Sequence, residues 1–500
     1  MNIAFVTPEV FPFSKTGGLA DVAHSLAHAL AGLGVHVTVF APFYLSTAEW
    51  FAGEGLASRE LALPHRLWIG DEQHAAVYRL FTRDGVNYMF VDDAPFFDRL
   101  HCYVDDDGVD YPDNAERFAY FSRSVLEYYL HTGEPPDVFH CHDWQAALIP
   151  VYLRTTYRRP ELVQAKSLLT LHNLGYHGLF PAYHLYATGL NWDMFTPEGL
   201  EFYGKLNLLK GGIVHADALN TVSPSYAAEI QTEEFGRGLD GVLRAHRAKL
   251  RGILNGVDTE QWNPATDALI EARYSADKTA GKAKCKKALQ REVGLPVRSG
   301  ALLLGSISRF DTQKGMDLVL AAFPKVAMLD LQLVLLGSGL HEFEDAARRL
   351  AAMYPQQVAL RLGYDEGLAH RIEAGADAFL MPSAYEPCGL NQMYSQLYWT
   401  VPIVRETGGL RDTVRNVTPQ RLVAGRASGF TFRQYDADKL AEAIRRAAHL
   451  YHGDREAWQG LVASIMRLDY SWTHSAKAYL RIYRQLSAGA PGQAAEAGDA

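Results

Sequence analysis

The sequence predicts an α/β protein of two open domains, each built from parallel strands joined by crossover helices. Three observations carry this. The 500 residues exceed what a single hydrophobic core serves, so two or more domains are expected. Short apolar runs alternate with amphipathic helical stretches from the start, pause near the middle, and then begin again. One phrase, TGGL with an aspartate two positions on, occurs once in each half, as KTGGLAD at 15–21 and ETGGLRD at 406–412. Each copy follows a strand-like run and opens a helix-like one.

The elements follow in order. NIAFVTP reads as a buried strand, GLADVAHSLAHALAGLG as an amphipathic helix with a glycine stop, and HVTVFAP as a second strand, which together make a βαβ unit. The stretch HRLWIGDEQHAAVYRLFTRDGVNYMFVDD is a β-rich excursion. PDVFHCHD, SLLTLHN and ALNTVSP are further strands separated by helices. The rhythm pauses over LRGILNGVDTEQWNPATD and the Lys-rich SADKTAGKAKCKKALQREVGLP. It resumes with ALLLGSIS, LQLVLLGSG, VALRLGY, AFLMPS and VPIVRETGG, each leading into a helix. This places one domain over 1–252 and a second over 253–469. SWTHSAKAYLRIYRQL is a helix at about 470–487, and the small polar composition of 488–500 predicts disorder.

Composition narrows the function. A net charge of −9 without acidic or basic blocks gives no reason to expect nucleic acid or an anionic membrane, and a neutral partner fits better. Four scattered cysteines, Cys102, Cys141, Cys285 and Cys388, argue against a disulfide framework or a Cys-rich zinc site and for a cytoplasmic protein. No signal-like or bilayer-length apolar run is present, so no membrane role is expected. Surface aromatics such as Trp50 and Tyr128 are weak candidates for contacts with a ligand.

The chemistry-bearing residues gather after strands. SRFDTQKG sets Arg309 and Lys314 ahead of a helix, where a guanidinium and an ammonium suit a departing diphosphate; two solvated surface cations are the plainer reading. PSAYEPCGL holds Glu386, which could bind sugar hydroxyls or stabilise positive charge at an anomeric carbon, or could simply neighbour a helix start. LTLHNLGYHG supplies His172 and Asn173, and HCHDWQA supplies Asp143. The cluster His140–Asp143 invites a metal, but alternate strand residues face opposite sides and no spaced partner motif appears, so no metal is expected. GSGLHE lacks the third glycine of a dinucleotide fingerprint, which leaves no case for NAD or another cofactor.

In this order, KTGGLADV, HNLGYHG, SRFDTQKG, EPCGL and ETGGL closely resemble the bacterial glycogen synthases and plant starch synthases across nearly the whole chain, with only the C-terminal tail and the Lys-rich segment outside the match. The resemblance implies a GT-B glycosyltransferase fold: two Rossmann-like domains facing across a deep cleft, with the last helix packing back on the first. It implies metal-free, retaining transfer of glucose from ADP-glucose to the non-reducing end of glycogen or another α-1,4-glucan. Carried over residue by residue, Lys15 and Gly18 meet the phosphates and Arg309 and Lys314 the departing ADP, while His172 and Glu386 flank the transferred glucose. Cys388, Gly389 and Leu390 contact sugar hydroxyls. Asp21, Asp143, Asn173 and Asn255 hold sugar or acceptor, Tyr103 packs near the nucleotide, and Thr407, Gly408 and Gly409 cradle phosphate from the second domain.

One departure is visible. Many retaining GT-B enzymes carry a second glutamate eight positions after the first, whereas Tyr394 stands there, a change that glycogen and starch synthases share. The rival readings are a UDP-glucose-dependent glucosyltransferase, a glucan-binding scaffold without catalysis, and an NAD oxidoreductase. The intact set of Lys15, Arg309, Lys314 and Glu386 speaks against the scaffold. A starch synthase with a transit peptide is disfavoured by the start at Met1.

Overall fold

The structure, a computed structural model, describes residues 1–488. The disorder expected for 488–500 falls, from 489 on, outside the described residues. Two compact units divide the chain: Met1–Gly256 together with the segment from Trp472, and Val257–Ser471.

The first unit is organised by one nine-stranded sheet. Its strands are β1 (Asn2–Val6), β2 (His36–Pro42), β3 (Arg59–Ile69), β4 (Glu72–Arg83), β5 (Val86–Asp92), β6 (Val138–His142) and β7 (Lys166–Leu171). A small antiparallel sheet, β8 (Leu179–Pro181), β9 (Glu201–Phe202) and β10 (Lys205–Asn207), stands apart, and β11 (Ala218–Thr221) and β12 (Leu250–Gly252) complete the large one. The order is β12-β11-β7-β6-β1-β2-β5-β4-β3. Strands from β12 through β5 pair in parallel, and the β-rich excursion adds β4 and β3 as an antiparallel edge. The parallel strands are continuous apolar runs because both faces are covered. Helix Gly18–Ala31 buries Val22, Ala23, Leu26 and Leu30 on one face. Beside it, helix Trp472–Ser487 buries Trp472, Ala476, Tyr479 and Tyr483 in the same core. Trp50 packs on Phe13 and Tyr128 on Phe40, and each is partly exposed.

The second unit is a six-stranded, all-parallel sheet. Its strands are β13 (Leu302–Ile307), β14 (Leu331–Gly337), β15 (Val358–Leu362), β16 (Ala378–Met381), β17 (Val401–Arg405) and β18 (Phe430–Phe432), in the order β15-β14-β13-β16-β17-β18. The Lys-rich segment forms helix Ala280–Glu292, with Lys282 and Lys286 one turn apart and turned inward. Lys282 donates to the carbonyls of Tyr398 and Glu373, and Lys286 bonds Asp377 at 2.5 Å and Tyr451 at 2.9 Å. Amphipathic lysines can be buried at this depth only because each ammonium proton finds an oxygen. No helix among the described residues is long and apolar enough to cross a membrane.

Candidate active site

In each unit the motif residues sit at the carboxyl ends of the strands, where loops leave an open α/β sheet. In the first unit β1, β6 and β7 are neighbours, which brings the loops carrying Lys15, Asp143 and His172 side by side. Lys15 lies in the loop after β1, and its ammonium is 2.8 Å from Asp21 on the first turn of helix Gly18–Ala31, which Gly18 opens. Under this loop Glu9 is 3% exposed and accepts the amide of Thr16. Burial pushes its carboxyl up to about 7.

Asp143 follows β6 with a φ of 55°, a left-handed conformation that aspartate tolerates better than most side chains. The turn aims its carboxylate across to the end of β7, where Oδ1 accepts the His172 amide at 2.7 Å. Burial raises this carboxyl to about 7, against the pull of the His172 and Asn173 amides. His172 is pushed by burial down to about 3 and is therefore neutral at physiological pH. Its Nε2 lies 2.8 Å from Nδ1 of His142. Asn173 folds its side chain onto the amide of Gly175, and Tyr103 packs on Phe118. The Tyr103 hydroxyl and Asn255 Oδ1 are buried without a hydrogen-bond partner among the described residues.

In the second unit the loop after β13 carries Arg309 and Lys314, and the adjacent β16 leads into Ser383–Leu390. The Lys314 ammonium bridges both oxygens of Glu386, at 3.0 and 2.8 Å, and Ser383 Oγ donates to one of them at 3.0 Å. Glu386 is 5% exposed, so the pairing supplies the charge that burial would otherwise make costly. Gly315 makes the approach possible: at φ 73°, a Cβ there would lie 2.3 Å from the Pro382 carbonyl oxygen. Arg309 is more than half exposed, 3.3 Å from Gln313 and 3.5 Å from Asp311. Cys388 is buried, and Gly389 turns the chain into helix Asn391–Leu397, which Leu390 precedes.

The two TGGL copies are not equivalent. Gly17 and Gly18 are exposed, whereas Thr407, Gly408 and Gly409 are buried under the backbone of Glu386–Cys388. Gly409 gives its amide to the Glu386 and Pro387 carbonyls, and Leu410 gives its own to Thr407. The Gly409 and Leu410 amides are bonded within the fold, and the turn braces the Glu386 loop.

Three further residues stand out, of which only Tyr394 is marked by the motifs. Glu9 is the one acidic residue between β1 and the first TGGL, a position that could have marked it. Tyr364 is 75% exposed just beyond the carboxyl end of β15. Tyr394, in place of the second glutamate, stacks on Trp262 at 3.9 Å, and Trp262 stacks in turn on His370 at 3.9 Å. Among the described residues no group of three or more His, Cys, Asp and Glu side chains is placed to hold a metal ion.

The comparisons with known proteins agree with one another. The family description "Starch synthase catalytic domain" matches residues 2–245, and "Glycosyl transferases group 1" matches residues 292–459. The chain is 48% identical to a glycogen synthase of Koribacter versatilis over 97% of its own length and 98% of the relative's. It is 43% identical to a glycogen synthase of Thermotoga maritima, covering 97% and 99%. The catalytic domain of starch synthase IV from Arabidopsis thaliana, solved with ADP and acarbose, superposes with a TM-score of 0.86 at 33% identity, covering 97% of this chain and 99% of that one. Sucrose-phosphate synthase from Thermosynechococcus elongatus shares the fold, with a TM-score of 0.59 at 18% identity over 98% and 100% of the two chains. With relatives this similar over almost its full length, the chain belongs to the glycogen and starch synthase family of GT-B glycosyltransferases.

Proposed function

We propose that the chain transfers glucose from ADP-glucose to the non-reducing end of an α-1,4-glucan, with retention of configuration and release of ADP. The observation that carries this reading is the Lys314–Glu386 pair, a cation and a carboxylate locked together at adjacent strand ends beside the exposed Arg309. The names of the relatives support the glucan product, and the ADP in the starch synthase IV structure supports the nucleotide.

As the bond from glucose to diphosphate breaks, negative charge grows on the leaving oxygens and positive charge on the anomeric carbon. Arg309 and Lys314 answer the first and Glu386 the second, which stabilises the transition state more than the ground state. Glu386 acts through its charge and its hydrogen bonds. The acceptor hydroxyl attacks from the face the diphosphate leaves, with a diphosphate oxygen taking its proton. Cys388, Gly389 and Leu390 orient the sugar from their backbone. From the first unit, His172 holds a sugar hydroxyl as a neutral imidazole, and Lys15 with Gly18 meets phosphate, Asp21 being the lysine's partner when no donor is bound. Asp143, Asn173 and Asn255 line the sugar and acceptor side and Tyr103 the nucleotide side, where the Tyr103 hydroxyl and Asn255 oxygen, without a partner among the described residues, offer bonds to a ligand.

The test is ADP release from ADP-glucose with and without glycogen. Release should depend on glycogen, and Lys314→Ala and Glu386→Ala should each lower kcat by about 100-fold or more. Equal or faster turnover with UDP-glucose would overturn the donor assignment. Glycogen binding without release from either donor would overturn the reaction.

A further inference from the structure

Behind His172 stands a second histidine to which none of these roles gives work. His142 ends β6, is fully buried, and places Nδ1 2.8 Å from His172 Nε2. Its other ring nitrogen, Nε2, is buried without a hydrogen-bond partner among the described residues. The ring is packed by Phe5 at 4.1 Å and by His140 at 4.2 Å. His140 is itself pinned, with Tyr483 OH 2.7 Å from Nδ1 and Thr170 Oγ1 2.6 Å from Nε2. Burial keeps His142 and His172 uncharged, so each ring carries a single proton.

Two neutral imidazoles at this distance share one proton in their hydrogen bond, and the two ways of placing it are unequal. If His172 donates from Nε2, His142 accepts at Nδ1 and must carry its own proton on Nε2, as a buried N–H with no acceptor. If His142 donates from Nδ1, its Nε2 is left as a bare lone pair against carbon. A buried donor without an acceptor is the costlier orphan. The second arrangement wins, and it fixes the other ring: with Nε2 accepting, His172 holds its proton on Nδ1. That atom makes no hydrogen bond to the protein among the described residues, and His172 is half-buried, not sealed in.

We propose that His142 is a positioning residue that sets the tautomer of His172, presenting an Nδ1–H donor to a hydroxyl of the bound sugar. This rests on the reading of His172 as a substrate contact. It makes the polarity of that contact a property of β6: the imidazole gives a hydrogen bond and cannot accept one at Nδ1.

The experiment uses the full chain with 15N-labelled histidine, without substrate, and reads ring tautomers from long-range 1H–15N correlations; the His172 signal is the one lost in His172→Gln. The Nδ1–H pattern is expected in the native chain. His142→Asn puts an amide N–H where Nδ1–H was, and should keep both the pattern and kcat, the latter within about threefold. His142→Asp, read at pH 8.5 where its carboxylate is ionised and only accepts, should turn His172 to the Nε2–H form and lower kcat by about 10- to 100-fold. A merely structural role would make the two variants lose alike. An Nε2–H pattern in the native chain, or equal losses in folded Asn and Asp variants, overturns the proposal. Native turnover in His172→Gln would instead overturn the contact reading beneath it, while the tautomer is still decided by the spectrum.

Discussion

Replacing Gly408 with alanine adds one carbon at the tightest point of the second unit's site. The new Cβ would lie 1.9 Å from the Glu386 carbonyl oxygen and 2.9 Å from its carbon. A carbon–oxygen contact is normally about 3.3 Å or more, so the Glu386 backbone must retreat by roughly 1.4 Å. At a φ of 45° the side chain itself costs roughly 1–2 kcal/mol. The shared bond from Gly409 to the Glu386 and Pro387 carbonyls, at 3.1 and 3.2 Å, is lost with the retreat, at about 1 kcal/mol more. A total of about 2–3 kcal/mol corresponds to a fall in Tm of roughly 4–12 °C for a unit of this size. The catalytic cost is larger, because a carboxylate displaced by about 1 Å costs on the order of 100-fold in kcat. Gly17→Ala is the matched control: the same position of the other TGGL copy, where a Cβ would find only Glu9 Oε1 at 4.0 Å and φ is −152°. It should leave stability within about 0.5 kcal/mol. Thermal unfolding and glycogen-dependent ADP release measure both variants. Native Tm and turnover in Gly408→Ala would refute the argument that this glycine exists to admit the Glu386 backbone.

Glu9→Gln should raise stability relative to the native chain at pH 8 and not at pH 5. The carboxyl titrates near 7 when folded against an ordinary 4.5, so the folded chain holds a proton the unfolded one has released, and stability falls as pH rises through that window, by at most roughly 3 kcal/mol. Tm differences measured across pH 5–8.5 check it, and an offset equal at both ends would count against it. His172 has the opposite slope: its depressed folded value means stability is lost as pH falls below about 6.5. Tyr483→Phe leaves His140 Nδ1 without its partner in a sealed core and should cost about 1–2 kcal/mol, read as a lower denaturant midpoint with an unchanged slope.

Much of this was legible because strand-to-loop boundaries are written in local pattern. Arg309, Lys314, Glu386, Asp143 and His172 lie at the ends of apolar runs, and in a parallel sheet such ends share one edge. What local pattern lacks is the partner across the fold. The Lys-rich segment read as a pause, since nothing nearby announced the carbonyls and Asp377 that take Lys282 and Lys286 inside. The twin TGGL phrases have one spelling and two environments, because burial of the second comes from the Glu386 loop some twenty residues upstream. His140 and His142 do face the same way, as alternation requires, but their neighbours are the imidazole just after β7, a hydroxyl on β7 and a phenol of the Trp472–Ser487 helix.

That helix imposes an order on synthesis. It fills the core of the first unit with Trp472, Ala476, Tyr479 and Tyr483, and Tyr479 also accepts from Asn220 at 2.9 Å. The ribosome makes it only after the whole of the second unit. The interval from Val257 to Ser487 is about 230 residues, which at ~5–20 residues per second takes roughly 10–45 s. Throughout that time the nascent first unit exposes an apolar trough and the polar atoms of His140 and Asn220, so the part of the protein made first is the part that finishes folding last.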